Sequence, residues 1–228
     1  MRRWWMLWAT LLLLAAAAAT GTAETLPLPL PPASRQGAIS VEEALQGRRT
    51  WRAYADRALS QAQLAQVLWA AYGVTATRHG IELKTAPSAG ALYPLDVYAV
   101  VGEGAVEGLA AGCYHYQPGG HALVALRPGE LRAEVAQASH GQRWMAKAPV
   151  ILVITGQYQR CTAKYGPRGV VFTHIEAGHV GQNVCLQAQA LDLRAGIVGA
   201  FDDKALAAAL GLPAGHTPLL AMPLGHPE

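Results

Sequence analysis

Apolar residues cluster along the chain in blocks whose spacing names the elements. The first block, Met6 to Ala19, is 14 residues long and interrupted only by Thr10, short for a membrane span. Proline-rich "TLPLPLPPASRQGAIS" (residues 25–40) follows and reads as an extended tether outside the core. Ser40 and Glu43 then form an S-x-x-E capping box, which predicts a short helix from Val41 to Gln46. Leu64, Val67, Leu68 and Ala71 recur at helical spacing after Ser60, and Gly73 ends that helix. "DVYAVV" (96–101) predicts a strand, and "GCYHYQPGGHALVAL" a hairpin turning at Pro118, Gly119 and Gly120. "ELRAEVAQAS" predicts a helix and "APVILVITG" (148–156) a buried strand. "FTHIEAGHVGQNVCLQAQALDL" predicts a long helix carrying Ala177, Gly178, Gly181, Ala188 and Ala190, which admit close approach of another helix or a cofactor. "AGIVGAF" and "PLLAMPLG" close the chain as extended segments. Helices and strands interspersed with a hairpin and long connections predict an α+β fold.

Composition changes this picture at the N-terminus. "MRRWWMLWATLLLLAAAAATGTAE" has a basic start, an apolar run and small residues at Gly21 and Ala23, the pattern of an export signal. The expected organisation is a signal peptide over 1–23, a proline-rich linker over 24–39 and one domain over 40–228. Loss of Arg2 and Arg3 leaves 16 basic against 15 acidic residues, no electrostatic footprint for nucleic acid. Cys113, Cys161 and Cys185 are too few and too scattered for a disulfide framework, and no metal-ligand spacing occurs among them.

Four stretches carry candidate chemistry. "GRRTWRAY" gathers Arg48, Arg49, Thr50 and Arg52, whose forked guanidinium groups and hydroxyl suit phosphate oxygens; a solvated basic turn fits the same residues. In "TAPSAGALYPLDVY", Ser88, Ala89 and Gly90 leave room for a flat ligand against the backbone, and an ordinary loop fits equally. "AKYGPRG" sets Lys164 beside Tyr165, an acid–base pair if burial lowers the lysine pKa, or a decorated surface turn. "HIEAGH" places His174 and His179 five apart, so their rings diverge by about 140° on a helix and cannot share a zinc ion. "VVGEGAVEG" has glycines at the wrong spacing for a dinucleotide turn and no helix to follow it.

Taken in order, "RRTWRAY", "APSAGALYPLDVY", "GCYHYQPGGHAL", "RCTAKYGPRG", "EAGHVGQNVCLQAQALDL", "IVGAFDD" and "PLGHP" resemble the nitroreductase-like flavoproteins, and within them the SagB-type branch that oxidises azoline rings in peptides. The resemblance spans about residues 36–227. It implies a sandwich built on a mainly antiparallel sheet flanked by helices, a homodimer, and FMN at the dimer interface. It assigns Arg48, Arg49, Thr50 and Arg52 to the FMN phosphate, and Ser88, Ala89 and Gly90 to the flavin of the partner subunit. Gly199 would offer its backbone amide to the reactive edge of the ring, and the helix with Gly178 and Gly181 would form the dimer centre. Lys164 and Tyr165 correspond to the branch's base. A nicotinamide donor, no metal, and a small-molecule or peptide heterocycle substrate complete the expectation. The rival is a protein that keeps the fold and binds a ligand without turnover, or that serves in a maturation complex. The chain departs from general nitroreductases in carrying "GALYPL" where they carry Asn and Gln-Pro-Trp.

Overall fold

A computed structural model describes residues 26–228; the expected signal peptide lies outside the described residues. In chain order the elements are β1 (Leu28–Pro29), α1 (Val41–Gly47), α2 (Gln61–Tyr72), β2 (Val74–Arg78), β3 (Ile81–Lys84), β4 (Leu95–Val101), β5 (Gly112–Gln117), β6 (Ala122–Pro128), α3 (Arg132–Ala138), β7 (Val150–Gly156), α4 (Tyr158–Tyr165), α5 (Arg168–Ala190), β8 (Arg194–Ala195), α6 (Asp203–Leu210) and β9 (Thr217–Gly225). Seven strands form one sheet in the order β1-β6-β5-β4-β7-β9-β8, every neighbouring pair antiparallel. This is the expected α+β sandwich.

Alternation along the central strands builds a core on each face. Val97, Ala99 and Val101 of β4, with Leu152 and Ile154 of β7, pack under α2 and α5 against Leu64, Leu68, Val180 and Val184. Tyr98 and Val100, with Ile151 and Val153, turn the other way toward Val135 of α3 and Leu206 and Leu210 of α6. Because both faces are covered, β4 and β7 are apolar at almost every position.

Both early helices start as their sequences require. Ser40 and Ser60 accept the N–H of Glu43 and Gln63, whose side chains accept in return from the cap N–H groups. Other segments differ from expectation. The proline-rich stretch is extended yet docked: Leu28 and Pro29 pair with Leu123 and Ala122 at the sheet edge, and Ser34 exchanges two hydrogen bonds with Gln66. An edge is the place where a strand tolerates proline. The "RCTAKY" stretch, read as a turn, is the body of helix α4. The long helix starts at Arg168, four residues early, because Gly169 lets α5 lie directly on α4; a Cβ there would stand 2.6 Å from the Cys161 carbonyl carbon. The β2–β3 hairpin and α6 were not expected at all. All three cysteines are buried and unpaired. No helix of the described residues is long and apolar enough to cross a membrane.

Candidate active site

The sequence-predicted residues fall into two groups. In the first, the chain leaving α1 crosses the end of the sheet, where the Trp51 N–H donates to the Ala195 carbonyl at 3.1 Å. Tyr54 Oη donates to the Trp51 and Pro223 carbonyls at 2.9 and 3.2 Å, tying "RRTWRAY" to the β8 and β9 strands. Gly196 is packed so closely that a Cβ would meet the Trp51 carbonyl at 2.8 Å. Arg49 turns back and donates to the Gln46 and Arg48 carbonyls, both at 2.8 Å, capping the end of α1. One nitrogen of its guanidinium is thus engaged by its own helix end. The side chains of Arg48 and Arg52 have no hydrogen-bond or ion-pair partner among the described residues, although Arg52 lies over the Trp144 ring at 5.8 Å. Gly199, further along the same segment, opens on a cavity of about 420 Å³ lined by Tyr158, His174, Gly178, Ile197 and Leu219.

The second group surrounds the loop after β3. A short 3-10 turn at Ala89–Ala91 carries three residues with positive φ nearby: Gly90 at 60°, Ala91 at 52° and Tyr93 at 47°. Two of these are not glycine, so the loop holds strain that its bonds must offset. Tyr93 supplies three of them: its N–H donates to Ser88 Oγ at 2.9 Å, its hydroxyl accepts from the Lys84 N–H at 3.1 Å, and its carbonyl accepts from Arg160 at 3.1 Å. Lys164 and Tyr165 come to rest on this loop. A Cβ on Gly90 would stand 2.6 Å from Tyr165 Oη and 2.9 Å from Lys164 Nζ. The structure thus joins Ser88, Ala89, Gly90, Lys164 and Tyr165, residues 75 positions apart, into one wall. Lys164 itself is exposed in the single chain, so the burial expected of it is not met there.

Three functional candidates escaped the sequence reading. Glu176 is buried at 2% exposure and accepts from Tyr72 Oη at 2.6 Å. Burial drives its pKa above the ordinary carboxylate value, against the Tyr72 hydrogen bond and the charges of Lys84 and His179. Lys84 is the lysine that burial does depress, to about 8, with Asp96 opposing; its Nζ stacks on Tyr72 at 3.9 Å and Tyr93 at 4.8 Å. Asp96, 11% exposed, accepts from His115 at 3.1 Å and Gln157 at 2.7 Å and pairs with Arg160 at 3.2 Å. Burial works against its charge, but those hydrogen bonds and the Arg160 charge prevail and lower its pKa. Since Arg160 precedes Lys164 by one helical turn, Asp96 anchors the helix that carries the Lys-Tyr pair.

Helix α5 separates the two groups. At about 100° per residue, His174 and Gly178 lie on the edge lining the Gly199 cavity, while Glu176 and His179 lie on the opposite edge. The two histidines do diverge: His174 Nε2 meets Tyr158 Oη at 2.7 Å, and His179 Nδ1 lies 3.4 Å from the Pro87 carbonyl. Between the edges runs an uncovered stripe with Val171 and Ile175, 41% and 48% exposed, and the exposed Gly178.

Family comparison completes the description. The model of the nitroreductase family matches residues 45–226. The chain belongs to the nitroreductase family. A candidate nitroreductase of Methanocaldococcus jannaschii is 42% identical over 187 residues, which cover 82% of this chain and 91% of that protein. Among solved structures, a candidate nitroreductase from Ralstonia eutropha superposes with a TM-score of 0.76 at 28% identity, covering 92% of this chain and 93% of its own. The Escherichia coli microcin synthetase McbBCD complex, solved with a truncated pro-microcin bound, shares the fold at a TM-score of 0.68 and 22% identity, over 96% of this chain and 85% of that one. Nitroreductase-family oxidoreductases are thus the setting in which both residue groups must be understood.

Proposed function

We propose that this nitroreductase-family oxidoreductase binds FMN at a site completed by a second copy of the chain and dehydrogenates a small or peptide-borne heterocycle. One observation carries the reading: the two candidate groups lie on opposite edges of α5, with an apolar stripe between them. Two copies joined across that stripe bring the Arg48–Gly199 edge of one against the Ser88–Lys164 edge of the other. Apolar and small residues exposed together on one helix face suit such a contact.

The residues present fit the cofactor. Arg48 and Arg52 have forks free for phosphate oxygens, the missing Cβ of Gly199 leaves its backbone open to a flat ring, and that of Gly90 makes room for Tyr165 Oη and Lys164 Nζ. Bound FMN supplies the hydride-accepting chemistry. The chain supplies the rest. The Asp96–Arg160 pair holds α4 in place, and the 88–93 loop gives the Lys-Tyr pair a fixed seat. Lys164 Nζ, with Tyr165 Oη beside it, takes the proton that leaves the heterocycle carbon as the ring is oxidised. The alternative substrate class is a nitro or quinone-like acceptor fed by a nicotinamide donor. We read residues 1–23 as an export signal, on their basic start, apolar run and small residues at Gly21 and Ala23.

The visible spectrum of the purified full chain tests the cofactor directly. An oxidised-flavin spectrum that bleaches on reduction is the expected result; a colourless protein that takes up no added FMN removes the proposal. Arg48→Ala and Arg52→Ala are each expected to weaken FMN binding by about tenfold, the worth of a charge-assisted hydrogen bond. Unchanged occupancy in both variants would sink the phosphate assignment alone.

A further inference from the structure

We infer that Trp144 is a positioning residue for the phosphate end of the site. It holds the Arg52 guanidinium in place without using any of its hydrogen-bond donors, and so sets a preference for phosphorylated over unphosphorylated ligands. The inference rests on the reading that Arg52 meets the FMN phosphate, and names the residue through which that arginine is placed.

Arg52 lies in the segment between α1 and α2 and is exposed. A long side chain left loose there loses rotamer freedom when a ligand captures it, and that loss weakens binding. The neighbouring Arg49 is ordered by its own helix end, with one nitrogen occupied by the Gln46 and Arg48 carbonyls. Arg52 is ordered differently. Its Cζ lies over the Trp144 ring, 5.8 Å from the centroid. Attraction between a cation and a ring face is electrostatic and takes up no N–H. All five donors of the Arg52 fork therefore stay available to phosphate oxygens.

The indole is itself fixed. Trp144 belongs to a 3-10 turn over Arg143–Lys147 and is half-buried, packed against the core under α3 and α6. Its neighbour Met145 is fully buried, which anchors the turn. The Tyr54 ring lies 24° from parallel to the indole, with centroids 6.4 Å apart. Tyr54 is tied in turn, through its hydroxyl, to the Trp51 and Pro223 carbonyls. Gly196 makes room for both rings: a Cβ there would stand 3.0 Å from Trp144 Cη2 and 3.0 Å from Tyr54 Oη. The position of the sheet end is thus passed through Tyr54 and Gly196 to Trp144, and from its ring to Arg52.

The test titrates FMN into the full-length apoprotein and follows flavin fluorescence. Trp144→Leu is expected to raise the FMN Kd about two- to fivefold, the worth of a cation–ring contact at an exposed site. Trp144→Phe, which keeps a ring, should raise it less. Because the arginine is the intermediary, Trp144→Leu should leave the FMN Kd unchanged in an Arg52→Ala background. Riboflavin carries the same ring system without the phosphate, and Trp144→Leu should leave its Kd at the wild-type value. A residue that merely supports the fold would act equally in both backgrounds and on both ligands, and that result overturns the inference. So does an FMN Kd that Trp144→Leu does not alter. Trp144→Met, whose flexible side chain fills irregular space, gives the same readings where Trp144→Leu does not fold. An FMN Kd unaltered by Arg52→Ala alone removes the phosphate role of that arginine and the inference with it, while the cofactor reading stands. A wild-type protein that binds no FMN removes all three.

Discussion

Asp96→Ala is expected to lower unfolding free energy by about 1–3 kcal/mol, the cost of removing a buried acceptor from several half-buried donors at once. The carboxylate gathers His115 from β5 and Gln157 and Arg160 from the N-terminus of α4. His115 is held in turn by Gln117, whose amide reaches Nδ1 at 2.9 Å, so Nε2 bears the proton donated to Asp96. Removing Asp96 strands all these donors at once and frees the first turn of α4. The pH dependence carries the same signature. Asp96 has a folded pKa below that of an ordinary aspartate, so its contribution is present above the ordinary value and is lost as pH falls through the lower folded pKa. Chemical denaturation from neutral to acid pH should therefore show wild type and Asp96→Ala converging. Parallel curves would mean that Asp96 is not the source of the difference.

Lys164→Met is expected to cut turnover by about a hundredfold or more, within the range for loss of a positioned acid–base group, while FMN stays bound. Met keeps the length and apolar stem of the side chain and deletes the Nζ that rests against Gly90. Steady-state oxidation of a thiazoline-bearing peptide, with flavin absorbance recorded on the same sample, separates the two effects. Equal turnover in variant and wild type would dismiss Lys164 as the base. Loss of flavin along with turnover would give it a binding role instead.

The physical reasons why some elements were legible and others were not differ element by element. The capping boxes at Ser40 and Ser60 reported their helices because both halves of each box are local. β4 and β7 were legible because burial on two faces leaves them few polar positions, Asp96 and Thr155 among them. α4 was not, since "YQRCTAKY" buries only Cys161 and is followed by Gly166 and Pro167, the marks of a turn. The β2–β3 hairpin was missed because β2 is almost wholly exposed and its turn is His79–Gly80, with φ of 51° and 77°, where Asn-Gly or Asp-Gly would have been recognised. The α4–α5 approach depended on Gly169, whose role appears only when both helices are in place.

At the site, Arg48, Arg52 and the Lys-Tyr pair stood out as polar residues in an apolar chain, and the family resemblance supplied their roles. Arg49 looked equivalent to its neighbours, and only the helix end beneath it shows otherwise. Glu176 did leave a signal. It shares a helical face with Thr173, Ala177, Val180 and Val184, all buried, so the periodicity already turned a carboxyl inward. Lys84 left none, because the burial that lowers its pKa arises only once the fold closes over it.

The placement of the two residue groups on opposite edges of α5 has a genetic consequence. In the dimer proposed here, a chain damaged at Arg48 still carries a sound Ser88–Lys164 edge, and a chain damaged at Lys164 still carries a sound Arg48–Gly199 edge. Neither can make a working centre with its own kind. Paired with each other, they confine both lesions to one centre and leave the second whole, so two dead alleles expressed together complement.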